Sequence, residues 1–371
     1  MLDPIPFASP DVIVKYAQRI ADSCSLQSLP LHAHEVLVSL VFYQLTQSYI
    51  SPRLSTYLFP SIYPNLNKRT KLNWDVHVVS LVQSTLISIL ALWVMQIDQE
   101  RKNLDWAGRV FGYTGAGGMI QGFAAGYFLW DLIISARYVN IFGWGLLAHA
   151  VSALAVFSLG FRPFLNFYGP TFILYELSSP FLNFHWFFDK LNMTGSRPQW
   201  YNGMALLGVF FGCRLVWGTW QSAKVYHDVW NALRNPGIDI LQSTFEWSKA
   251  HNLNLVDDQT FDKLIAARTE VVQFAEDAFV PIWLAIVYLG SNLTLNALNY
   301  FWFTKMIDTV LKRFRTPQPT RKVSMNIVSR VPPELVDAAS SSSDDLANVK
   351  VSRDDKGAIV IEKKVVRRRK A

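Results

Sequence analysis

The chain has 371 residues, 51% of them hydrophobic and only 17% charged, with 25 Phe and 13 Trp. Soluble domains carry about 25% charged residues, which excludes a wholly soluble chain, and two cysteines exclude a disulfide framework. The net charge of +7 lies largely at the ends and in loops, where it marks membrane topology rather than a nucleic-acid footprint. No nucleic-acid partner, cofactor or metal is expected, because no Cys or His spacing suits a metal ion.

Crossing the hydrocarbon takes about 20 residues of helix. Apolar runs of that order lie at 33–51, 74–97, 112–136, 141–160, 164–188, 200–224 and 279–308. They predict an all-α polytopic membrane protein with about seven transmembrane helices. The first run is long and lacks a small-residue cleavage pattern after it, so it reads as a retained helix. The fourth and fifth runs are joined only by FRP (161–163), where Pro163 favours a tight connection. Residues 225–278 read as a non-membrane connection, with NPG (235–237) as a turn and 257–277 as a helix. Residues 316–371 are rich in Pro, Ser and charge, including SSSSDD (340–345), and read as a disordered tail. Basic clusters at NKRTK (67–71) and KRFR (312–315) face the cytosol by the positive-inside rule. An odd number of spans to the C-terminal tail then puts the N-terminus on the outer or lumenal side.

Ionisable residues inside a bilayer cost roughly 2.5–3.5 kcal/mol each and normally face a bundle interior or a wet cavity. Asp131, His149, Glu176 and Arg214 fall inside four different runs. Arg214 paired with Glu176 or Asp131 is the obvious neutralisation. These residues allow three readings: an ion pair that fixes helix order, a grip on a polar lipid headgroup, or catalysis. A general base needs an orienting partner, and Glu176 is the candidate for His149. His77 reads as an interfacial residue snorkelling beside Trp74. Ser178, Ser179 and Asn183 surround Pro180, which removes a backbone donor and kinks a helix, and serine hydroxyls often satisfy carbonyls freed in this way. No G-x-S-x-G turn marks either serine as a nucleophile. Gly118, Gly122 and Gly126 recur every fourth residue, a small face for close helix packing. GYTGAGG (112–118) lacks the Lys-Ser/Thr ending of a phosphate loop.

Several stretches together resemble the TLC-domain family of membrane proteins, and most closely its TLC-domain-containing-protein-4 subgroup. They are KLNWDVHVVSLVQS (71–84), GYFLWDLII (126–134), LLAHAVSAL (146–154), ELSSPFLNFHWFFDKL (176–191) and LNYFWFTKMI (298–307). The resemblance covers about residues 68–310 and implies six helices forming a TLC-like bundle around an intramembrane cavity, preceded by one extra helix in residues 1–67. Residues 311–371 then form a basic cytosolic tail. The ceramide synthases of the family carry a His-His pair on one helix and a His-Asp on the next. Here the first pair reads Ala148-His149 and the second reads Glu176-Leu177, so two groups of the acyl-transfer chemistry are missing.

The expected function is therefore non-catalytic lipid binding in membrane lipid homeostasis, with sphingolipid or acyl chains among the candidate ligands. One alternative is a ceramide-synthase-like N-acyltransferase with His149 and Glu176 as a reduced centre. A membrane cargo receptor using 225–278 and the tail to hold protein partners is the second. Lipid-cavity candidates are Asp131, His149, Glu176, Ser178, Ser179, Asn183, Arg214 and Asn299. Arg368 and Arg369 resemble a retrieval signal of the endoplasmic reticulum, or a basic tail drawn to anionic lipid.

Overall fold

The computed structural model describes residues 2–5, 7, 9–102, 104–162, 164–237, 271–275, 278–314, 349–353 and 359–363. The chain divides into two units, Met1–Val310 and Leu311–Ala371, and the described residues of the first contain no strand. Among the described residues, the helices of twelve or more residues are α1 (Asp11–Cys24), α2 (Leu29–Leu45), α3 (Lys68–Ile97), α4 (Gly115–Arg137), α5 (Trp144–Leu159), α6 (Ser179–Lys190), α7 (Arg197–Phe210), α8 (Gly218–Arg234) and α9 (Ile282–Phe314), the last running on past Val310. Among the described residues, three helices are long and apolar enough to cross a membrane: α3, α4 and the continuous helical stretch Arg197–Arg234. The α5 helix is apolar but has only 16 residues. With 33 residues, α9 extends about 50 Å at 1.5 Å per residue. The first predicted run falls on α2, which continues through a π turn, Thr46–Ile50, into a further helix, Ser51–Leu58.

The fifth run departs from expectation. Instead of one helix over 164–188, the chain makes 3-10 turns at Asn166–Tyr168 and Leu174–Ser178, a short helix at Gly169–Ile173, and then α6. Pro170 and Pro180 explain the segmentation, because neither can donate to a continuing helical ladder. Pro180 lies in the first turn of α6, where its missing N–H has no helical acceptor. It starts a helix rather than kinking one.

Asn67, Thr114 and Ser196 cap α3, α4 and α7 by accepting from the backbone N–H of Thr70, Gly117 and Gln199. The glycine face on α4 turns toward α2. A Cβ at Gly118 would run into the His32 ring, one at Gly122 into the Glu35 carboxylate and one at Gly126 into Ser39 Oγ. Trp130, Phe161, Phe164 and Tyr168 are almost fully buried in the core.

At the far end of α8 the NPG turn forms, with Gly237 at φ +72°, a left-handed value that suits glycine. In the C-terminal unit, expected to lack folded structure, β1 (Val349–Arg353) and β2 (Ile359–Lys363) pair antiparallel, Val351 opposite Ile361. The alternation VKVSR suits a strand. The predicted helix over 257–277, Pro163, the SSSSDD run and Arg368–Arg369 lie wholly or largely outside the described residues.

Candidate functional site

The segment from Leu174 to Lys190 and the long helical stretch beginning at Arg197 build the polar centre between them. In a 3-10 turn residues three apart share a face, so the Ser178 hydroxyl donates to the Tyr175 carbonyl at 3.3 Å. Ser179 follows at the start of α6. Opposite them, α7 opens into a π stretch, Phe211–Trp217, that contains Arg214. Such widened turns are frequent at functional sites.

Arg214 is buried and reaches three helical segments. Its Nε donates to Ser178 Oγ at 2.9 Å, and its terminal nitrogens donate to Ser179 Oγ and Asn299 Oδ1, each at 3.1 Å. The guanidinium also lies over the Phe210 ring, 5.0 Å from its centroid. Glu176 approaches to 3.7 Å, within ion-pair range but too far for a hydrogen bond. Five predicted candidates, Glu176, Ser178, Ser179, Arg214 and Asn299, thus converge. Three of the five guanidinium N–H donors are used by these serines and Asn299. The Glu176 carboxylate accepts no hydrogen bond among the described residues and keeps 9% of its side-chain surface open. The centre is therefore a buried cation held by neutral oxygens, with spare donors and an under-used carboxylate beside it.

The remaining candidates lie elsewhere. Asn183 Oδ1 accepts from His77 Nδ1–H at 2.7 Å, and its amide nitrogen donates to Ser80 Oγ at 3.1 Å, tying α6 to α3. His77 stacks on Trp186 with centroids 4.2 Å apart, and Trp74 is buried with its indole N–H on Ser55 Oγ. The expected snorkelling is replaced by internal bonding: one His77 ring nitrogen and the Trp74 indole N–H both meet protein partners. Asp131 accepts from Ser135 on its own helix at 3.4 Å and makes no ion pair with Arg214. His149 sits between the rings of Phe128 and Trp302, at 6.2 and 5.5 Å. Its Nδ1 is buried without a hydrogen-bond partner, and Glu176 turns to Arg214 instead. The His149–Glu176 dyad does not form.

A cleft of about 510 Å³ opens further along the same two segments. Thr171 and Trp217, close in sequence to Glu176 and Arg214, line it, together with Arg101, Lys102, Arg109, Trp220, Lys224 and Asp228. Arg109 holds Asp228 by two bonds of 2.7 and 2.8 Å, and Tyr168 donates to the same carboxylate at 2.6 Å. Burial opposes the Arg109 charge, but the bonds and Coulomb pull of Asp228 outweigh it and hold the guanidinium above its ordinary range. Arg101 donates to the Phe167 carbonyl and to Thr171. Cations outnumber carboxylates among the lining groups, and two tryptophans stand beside them.

Sequence reasoning missed several polar groups. Asp75 accepts from Ser51 and Tyr63, and Arg109 meets Asp228 across 119 positions of sequence. Gln83 is buried on α3 with both amide atoms unpartnered among the described residues. Asp75 and Gln83 carried a signal, polarity inside an apolar run; the Arg109–Asp228 pairing carried none.

A family model described as the TLC domain matches residues 73–308. The chain is 35% identical to an uncharacterized TLC domain-containing protein of Schizosaccharomyces pombe over 82% of its own length and 87% of that protein's. It is 28% identical to topoisomerase I damage affected protein 4 of Saccharomyces cerevisiae, covering 79% of this chain and 88% of the relative. TLC domain-containing protein 4 of Homo sapiens is 28% identical over 48% of this chain and 67% of its own.

Proposed function

From the premise that the chain belongs to the TLC-domain family, we propose that it is a non-catalytic lipid-binding protein serving membrane lipid homeostasis. Six of its seven spans form the bundle, around an intramembrane cavity into which a polar lipid headgroup enters. The observation that carries this reading is the Arg214 centre: a buried cation with uncommitted donors, beside a carboxylate that retains surface but no hydrogen bond. A polar headgroup with both donors and acceptors satisfies both. The cleft beside Trp217 and Trp220, with its surplus of cations, supplies an approach for such a headgroup from the membrane boundary. Against an N-acyltransferase stands His149, which has aromatic rings for neighbours and no orienting carboxylate. Residence in the endoplasmic reticulum, a cytosolic C-terminus and protein contacts through 225–278 and the tail complete the proposal.

Two measurements on purified protein test it. Lipid mass spectrometry should find a polar lipid that co-purifies, and its amount should fall in a Glu176→Gln, Asp131→Asn variant; an unchanged profile removes the headgroup role. Incubation with a sphingoid base and acyl-CoA should give no product. Turnover that disappears in His149→Ala would establish the acyltransferase alternative instead.

A further inference from the structure

At the ends of α2 and α4, away from the Arg214 centre in sequence, three ligand-type side chains meet. His32 Nδ1 lies 2.7 Å from Glu35 Oε2 and 3.6 Å from Asp3 Oδ2. One donor atom from each of the three falls within 4.8 Å of the others. We propose that Asp3, His32 and Glu35 bind a divalent transition-metal ion of the zinc class.

Charge supplies the first reason. Two carboxylates facing one imidazole remain net negative even when the ring is protonated, whereas one divalent cation neutralises both. An orphaned atom supplies the second. Glu35 Oε1 is buried with no hydrogen-bond partner, on a side chain only 1% exposed. A buried carboxylate oxygen left unsatisfied is costly, and coordination by both oxygens of Glu35 removes that cost.

The third reason is the far side of the ring. The Tyr113 hydroxyl lies 2.6 Å from His32 Nε2. With Nε2–H donating to Tyr113, the Nδ1 lone pair points at the carboxylates, the outer-shell arrangement typical of metal-ligating histidines. Ligand distances of about 2.0–2.1 Å in a tetrahedral zinc site separate the donors by roughly 3.3 Å. The His32–Glu35 contact then opens by a few tenths of an ångström. Nitrogen and oxygen donors together suit zinc, iron or manganese more than calcium. His32 and Glu35 are three apart on one helix face, and the Asp3 side chain, 26% exposed, leaves a path for entry. The bound ion would tie the N-terminal segment to α2. This site is independent of the lipid reading.

The test uses the full chain in nanodiscs, stripped with a chelator and titrated with Zn²⁺ alone. Bound metal is counted after desalting, and Co²⁺ is titrated separately to read its visible absorption. About one equivalent per chain should be retained, with a higher melting temperature than the stripped protein. Asp3→Asn should weaken binding at least tenfold, and Tyr113→Phe by about 10- to 100-fold, the usual effect of losing an outer-shell partner. Asp3 lies outside the α2–α4 contact, so its substitution leaves the fold in place where Glu35→Gln disturbs that contact. A folded wild-type chain that retains no zinc, or an Asp3→Asn chain that binds as well as wild type, overturns the site and leaves a hydrogen-bonded anchor.

Discussion

Arg214 illustrates how one side chain organises a helical interior. Its guanidinium is held by Ser178, Ser179 and Asn299, and Glu176 stands at 3.7 Å. Removing one partner of a buried charge pair leaves the other uncompensated, typically at a cost of 3–5 kcal/mol. We therefore expect Arg214→Met to lower the melting temperature sharply in detergent. The double variant Arg214→Met, Glu176→Leu should recover most of the loss, because well-packed apolar replacements of a buried pair are often neutral or better. A double variant no more stable than Arg214→Met would show that the serines and Asn299, not Glu176, dominate the centre. Arg109 and Asp228 present the contrasting case of an ion pair with two direct bonds and a tyrosine as third party. There Asp228→Asn should destabilise by about 3 kcal/mol, since it strands a partly buried guanidinium. Unfolding monitored by far-UV circular dichroism reads the loss.

At the scale of elements, α2 and α4 pack closely through the glycine face of α4. The glycines of α4 do not merely permit it: added methyl groups at Gly118, Gly122 or Gly126 collide with His32, Glu35 or Ser39. Overpacking costs typically 1–3 kcal/mol, so each alanine substitution should destabilise by about that amount. Gly208→Ala and Gly212→Ala are the controls, since a Cβ there meets nothing within 4 Å. These should be neutral or slightly stabilising, because alanine has the higher helix propensity by about 1 kcal/mol. Equal losses at all five positions would mean that close approach to α2 does not set the effect. Segmentation between Asn166 and Ser178 follows a different rule. Two prolines divide an apolar run that hydropathy alone reads as one helix, and the 3-10 turn they leave brings Glu176 and Ser178 to face Arg214.

For the whole molecule, topology is the property most open to test. Placing both basic clusters in the cytosol predicts that Arg69→Cys and Lys312→Cys, in a chain lacking Cys24 and Cys213, react with an impermeant thiol reagent from the same side. Opposite labelling would break the odd-span count. Much of the molecule was legible beforehand. Apolar runs marked α3, α4 and the Arg197–Arg234 helix, and the glycine spacing marked the face that meets α2. Glu176, Ser178, Ser179, Arg214 and Asn299 stood out because polarity inside an apolar run is costly and therefore conspicuous. Their convergence was not legible. Arg214 lies 36 positions from Ser178 and 85 from Asn299, and periodicity fixes which face of a helix is polar without fixing which helix it meets. The same limit hid the approach of Asp3 to His32, which no spacing announces. What the sequence determined by itself was the solvent of each segment, because transfer free energy adds residue by residue. What only the tertiary structure decided was the partner of each polar group, because pairing depends on helix order and rotation, and these are set by packing over the whole bundle.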